Sequence, residues 1–452
     1  MILTSTKFYS STLKVSTFLS KKIIFSSLCY LLLAYSILHY IKTGIFFSFR
    51  EERLVLGDMS AAWPTYWAWK INPSFILQNS SVVRWMGDSS SKHWQYGPML
   101  HYILFPFLFF NSYKIASYTW LIFCHMFLLV SMFLWYKMLF IDKKHHSFSV
   151  LCIYLALWFN FYPLYEALCT RNIEIVELLF LSSTFYFLLK KKDGVSGIFL
   201  GMAVMTKFLP LIFIPYFLLK RKFRLITYAL ITLIVIGVSA EFSLGWKNSH
   251  TFAQFDWTGA SNMTFYESQS IPTWINRLFA ESPTHANMTS FYGAKIENAP
   301  MTRFVVKTIL LLILIFYAIV FFFSRKKLIS IFEIALIFIL MIALPQHNHI
   351  YYLCFLLIPF SISLYYYIVS KFHQDFIKKD VFIFIFSYFL IGIIVPVSLL
   401  TALFSVYSLS FISIYQFYSI PVYGYLLLLA WLTAKQITSK DLFSFENNNI
   451  KS

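Results

Sequence analysis

Charge is scarce in this chain. Of its 452 residues only 12% are Asp, Glu, Lys or Arg, while 59% are apolar. A soluble protein carries about 25% charged residues, so an ordinary water-soluble domain is excluded. Cysteine is scarce too: Cys29, Cys124, Cys152, Cys169 and Cys354 are scattered, with no metal or redox spacing. Most lie within apolar runs, so no disulfide framework is implied. No GxGxxG, P-loop, HExxH or nucleophile elbow occurs, and no internal repeat is visible. The sequence therefore offers no dinucleotide site, no phosphate-cradling loop and no zinc-protease helix. No cofactor and no metal are expected.

What is abundant is apolar sequence. Runs of about 20 residues recur from Ile23 to the C-terminus, each long enough to cross a ~30 Å hydrocarbon core as a helix. They lack strand alternation, which disfavours a barrel. The expectation is an all-α, polytopic transmembrane protein with roughly 10–13 spans, one integral-membrane domain over residues 1–452. The formal charge of +18 does not point to nucleic acid, because the basic residues cluster between the runs. Lys21-Lys22, Lys143-Lys144, Lys190 to Lys192, Lys220 to Lys222, Arg325 to Lys327 and Lys378-Lys379 follow the positive-inside pattern. Lys21-Lys22 precede an apolar stretch too long for a signal peptide, with no cleavage site after it, so Ile23 to Ile41 reads as the first span.

With Lys21-Lys22 cytoplasmic, the first span exits near Gly44. Residues 46–97 form a first external loop, polar and Trp-rich. A second external loop covers 245–303, and a polar tail covers 435–452. Charge bookkeeping leaves one inconsistency. Two full spans between Gly97 and Asp142 would return the chain to the wrong side, so one run there is short or re-entrant, or one loop breaks the rule. Residues 194–219 are either one span or a hairpin with Thr206 to Pro210 at its tip, the kind of broken helix that lines a site.

Several polar residues in this map can carry chemistry. Asp58, just beyond the first span, is placed to orient or deprotonate a hydroxyl, or to bind a cation that binds phosphate; the bland reading is a solvated helix cap. Asp88, flanked by Gly87 and serines, reads as a turn residue first and a functional one second. Tyr96, before Gly97-Pro98, is placed to stack on a sugar or line a lipid-phosphate pocket. Arg171, Asn172, Glu174 and Glu177 lead into a span and are costly near lipid, so they face a cavity or form a local pair. Lys207 sits in an apolar stretch and either holds a phosphate as a point charge or snorkels. His347 and His349, at a helix-to-helix tip beside Pro345, are a poor metal pair, but an imidazole there can accept a proton. The bland alternative is polar residues in a tight turn.

In this order the motifs resemble the bacterial polyprenyl-phosphate-dependent mannosyl- and arabinofuranosyltransferase family of the GT-C superfamily, over roughly Leu56 to Phe360. Gly57-Asp58 matches that family's Asp after the first span, and Tyr96-Gly97-Pro98 its Tyr-Pro-Pro step. Arg171-Asn172-Ile173-Glu174 stands where the family has a Gly-Gln-x-Asn turn, a departure. Gly197, Gly201, Lys207 and Pro210 resemble its glycine-rich helix with a Lys-x-x-Pro step. Gln269-Ser270 with Arg277, and Pro345-x-His347-x-His349-x-Tyr351, complete the series.

The resemblance implies a GT-C-like fold and an inverting glycosyltransferase. Its donor would be a hexose or pentose on a polyprenyl phosphate, and its acceptor a lipid or cell-envelope glycan. It implies Asp58 and His349 as the acceptor-activating pair, with Lys207, Arg171, Arg277, Tyr96 and Gln269 toward the donor and its phosphate. His347, Glu174 and Asp88 are secondary candidates. The expected location is the inner (plasma) membrane, multi-pass, with the site on the external, periplasmic side. Expected partners are the lipid-linked donor, the acceptor and membrane lipids, and no nucleic acid. Two other classes remain open at this stage. One is a lipid-linked oligosaccharide transporter or flippase, the other a surface polysaccharide polymerase or ligase.

Overall fold

The computed structural model describes residues 24–50, 99–110, 112–142, 146–244, 268–279, 299–324, 328–345, 348–372, 378–392, 419–438 and 445. These residues are almost entirely helical, and the chain is a polytopic all-α membrane protein. Among them six helices are long and apolar enough to cross a membrane, seven if one bent pair counts as a single span. Three further apolar helices are shorter.

The first span is α1 (Ile24–Phe46). A short helix α2 (Met99–Leu104) and a 3-10 turn (Phe105–Phe109) precede the long α3 (Tyr113–Ile141). Six and five residues cannot cross a ~30 Å core. The run after Gly97 is therefore a short one beside a single full crossing, which removes the inconsistency in the charge bookkeeping. Next come α4 (Phe148–Phe159) and α5 (Tyr162–Cys169), bent by 53°. Then follow α6 (Glu174–Leu189), α7 (Asp193–Thr206), α8 (Leu209–Leu219) and α9 (Phe223–Leu244). The bundle ends with α10 (Ile271–Phe279), α11 (Ala299–Phe323), α12 (Ile331–Ala343), α13 (350–372), α14 (Lys378–Gly392) and α15 (Ile420–Thr438).

Burial separates these helices into a centre and a periphery. Every residue of α12 is buried, as befits a helix that is apolar all round. By contrast α1, α9 and α11 keep most of their surface outside the bundle. Leu38, Ile234, Phe242 and Leu312 are among their exposed side chains. Large exposed apolar faces of this extent belong in lipid.

Residues 194–219 form the hairpin rather than a single span. Lys207 has an extended backbone (φ −145°, ψ 137°) that ends α7, and Pro210 starts a 3-10 turn leading into the second arm. Phe213 and Phe217 on that arm pack against Phe185 near the end of α6. The second arm thus descends to the level from which α7 rose. The two glycines of α7 serve packing, not the break. An added Cβ on Gly197 would lie 2.2 Å from the Leu225 carbonyl oxygen, and on Gly201 2.8 Å from that of Ala229. This small-xxx-small spacing lets two membrane helices approach backbone to backbone. The pairings ascend together, so α7 and α9 run parallel from one end of the bundle.

That end carries the basic residues. Lys190 pairs with Asp142 at 3.2 Å, Lys220 with Glu333 at 2.8 Å and Lys435 with Asp380 at 2.6 Å. Two helices close there with Lys191 and Arg221 in the left-handed region, φ 58° and 57°. In each case the following residue's N–H reaches back to Phe187 or Phe217, the Schellman closure that usually employs glycine.

Candidate functional site

The opposite end of the bundle is where the candidate residues gather. At the α5–α6 corner, Arg171 takes the left-handed position (φ 53°) of a third Schellman closure, with the Asn172 N–H reaching Ala167 O. Its buried guanidinium donates to Ser48 O at 2.9 Å and Cys169 O at 3.3 Å, and Trp120 Nε1 donates to its carbonyl at 3.0 Å. Arg171 thereby fastens the end of α1 and the face of α3 to this corner.

Immediately after the corner, Glu174 and Glu177 open α6 and are fully buried. They are three apart and share one helix face. The Glu174 carboxylate accepts from Lys207 Nζ, which descends from the break between α7 and α8. Lys207 also donates to the Tyr352 hydroxyl at 3.0 Å and lies 4.5 Å from that ring's centroid and 5.7 Å from Tyr351's. A cation held against two aromatic faces and a carboxylate is stabilised even where water is scarce. Cys354, on α13, lies within electrostatic reach of Glu174, Glu177 and Lys207.

His349 precedes α13 and stacks on Tyr351, with ring centroids 5.1 Å apart and planes 20° apart. Tyr351 in turn stacks on Tyr352 at 5.0 Å. An aromatic ladder therefore runs from His349 to Lys207. A single antiparallel bridge joins Ser268 to His349. It is reinforced by Gln269 N to Asn348 O and by Asn348 N to Ser268 Oγ at 3.0 Å. Tyr425 donates to Gln269 O at 3.2 Å, tying in α15. The bridge brings part of the 245–303 segment onto the α12–α13 turn, and so sets Gln269 beside His349.

Of the residues singled out in the sequence, Lys207, Glu174, Arg171, Gln269 and His349 share this end. Arg277 lies on α10, close in sequence to the bridge, but its side chain is outside the described residues. Asp58, Asp88, Tyr96 and His347 also lie outside the described residues. Sequence reasoning passed over Tyr352, Ser268 and Asn348. Tyr352 had a faint signal, being the second member of a Tyr doublet directly after His349-Ile350. Among the described residues no cluster of His, Cys, Asp and Glu could hold a metal ion.

The architecture and this end together define a class: a multi-pass membrane protein with a buried, charged and aromatic site at one end of its helices. The sequence model of glycosyltransferase family 87 matches residues 94–345, more than half of the chain, and the chain belongs to that family. It is accordingly a membrane glycosyltransferase. No curated protein and no solved structure matches it.

Proposed function

We propose that this glycosyltransferase uses a polyprenyl-phosphate-linked sugar as donor, and transfers a hexose or pentose with inversion to a lipid or envelope-glycan acceptor. The observation that carries the reading is the placement of Lys207. Its ammonium sits at the tip of a hairpin at the end opposite the basic clusters, beside Tyr351 and Tyr352, with His349 stacked on Tyr351. A point charge at membrane depth suits the phosphate of a lipid donor whose tail stays in the bilayer. The stacked rings are surfaces on which a sugar can lie.

In this reading His349 and Asp58 act on the acceptor hydroxyl, one of them taking its proton as the anomeric bond to phosphate breaks. Arg277, Tyr96 and Gln269 attend the donor, with His347 and Asp88 in reserve. Arg171 serves by position, holding α1 and α3 at the corner that presents Glu174. The positive-inside rule puts the Lys190, Lys220 and Lys435 end in the cytoplasm of an inner-membrane protein, and hence the site outside.

The experiment is transfer by membranes supplied with a panel of radiolabelled polyprenyl-phosphate sugars, comparing the parent with Asp58→Asn. Transfer from one of them, reduced roughly 10²–10⁴-fold in the variant, is the expected result. Transfer from a nucleotide sugar alone would overturn the donor assignment. Near-parental turnover of Asp58→Asn would remove Asp58 from the mechanism.

A further inference from the structure

The donor site has an anion built into it. Glu174, fully buried, pairs with Lys207, and Glu177 stands buried on the same helix face. The ammonium thus pairs with the Glu174 carboxylate and donates to the Tyr352 hydroxyl, and Glu177 follows one helical turn after Glu174. The reaction proposed above presents this site with two different anions in every cycle. The donor is a phosphodiester carrying one negative charge. The lipid left after transfer is a phosphomonoester, with a charge near −1.5 to −2 at neutral pH. A lysine alone would hold the more highly charged product more tightly than the donor, and turnover would stall. Carboxylates in the same low-dielectric pocket repel the second charge more than the first.

We infer that Glu174, with Glu177 behind it, is a specificity-determining residue that discriminates against the phosphomonoester product and so speeds its release. The inference rests on the reading that Lys207 receives the donor phosphate. Glu174 also balances the charge of the Lys207 ammonium with which it pairs.

The test needs no knowledge of the sugar. Farnesyl phosphate serves as the monoester and its methyl phosphodiester as the singly charged probe. Affinities for the purified full-length protein in detergent are measured near pH 7.5, where the monoester is mostly dianionic. The parent is expected to bind the diester at least as tightly as the monoester. Glu174→Gln should shift that ratio toward the monoester on the order of tenfold. Glu174→Asp, which keeps the charge, should stay near the parental ratio. Glu177→Gln should shift it in the same direction by less, and supplies the test if Glu174→Gln does not fold. An unchanged ratio in both Gln variants, or equal weakening of both ligands, overturns the inference and leaves Glu174 as an orienting partner of Lys207. The underlying reading fails separately, and this inference with it, if the parent binds neither probe or if Lys207→Met binds both as the parent does.

Discussion

Two buried lysine–glutamate pairs stand at opposite ends of this bundle, and they differ in what encloses them. At the basic end Lys220 donates to Glu333 and to Ser324 O, both at 2.8 Å. Glu333 accepts further from Tyr216 at 3.1 Å and from Ser324 Oγ, and it closes a capping box on Ser330. Tyr216 and Ser324 are themselves buried, and the lysine closes a helix end. At the other end Lys207 lies in an extended break between two helices, beside the half-buried Tyr351 and Tyr352. The same two residue types make a sealed joint in one place and a buried cation faced by aromatic rings in the other. Burial of a charge in a membrane protein therefore does not by itself mark a functional site. The kind of neighbour must be read with it: a helix end around Lys220, stacked rings beside Lys207.

That contrast can be broken in steps. The largest effect should come from the sealed joint. Lys220→Met leaves Glu333 buried without its cation and should cost about 3–5 kcal/mol, read as a fall in thermal midpoint in detergent. Lys220→Met combined with Glu333→Leu should recover much of that loss. If the single variant is as stable as the parent, the joint is not sealed.

At the open end the triple variant Lys207→Met, Glu174→Gln and Glu177→Gln leaves no lone buried charge. It should weaken lipid-phosphate donor binding roughly 10–100-fold, the worth of a charge-assisted contact, with a near-parental midpoint. A large stability loss there with unchanged donor affinity would make the two ends alike.

The packing that aims Lys207 is the next target. Gly197→Ala forces a methyl group against the Leu225 carbonyl and should cost about 1–3 kcal/mol, while also lowering activity because α7 carries Lys207. An unaltered midpoint would show that α7 and α9 have room to separate.

The smallest effect is expected at Lys191. Its left-handed backbone suits glycine, so Lys191→Gly should stabilise by up to about 1 kcal/mol. A loss would mean that its side chain matters more than its backbone strain.

Much of this was legible in the sequence, and for identifiable reasons. Span-length apolar runs reflect a composition constraint that needs no tertiary knowledge. Lys207 near Pro210 signalled a break, because a cation and a helix breaker in an apolar run are each costly without a purpose. What stayed hidden were the partners. Lys207 meets Glu174 across 33 residues and Tyr352 across 145, separations set by helix packing rather than by local pattern. The Ser268–His349 bridge was hidden for the same reason. Gly197 and Gly201 were visible as marks of a glycine-rich helix, but not as the contact that holds α7 against α9. Short α2 could not be told from a span by composition, since apolar content says nothing of where a helix stops.

The α7–α8 hairpin has a consequence for where the reaction takes place. Its first arm has 14 residues and rises at most ~21 Å from the basic end, whereas the hydrocarbon core is ~30 Å thick. If α7 starts at the near surface of such a core, Lys207 stands below the far surface, at a depth where a lipid phosphate does not normally reside. On the proposed donor assignment, the headgroup must sink to reach it, or the bilayer must thin locally around the site. The enzyme is in that sense a gauge of its own solvent, and its rate should depend on acyl-chain length as well as on the concentration of its substrates.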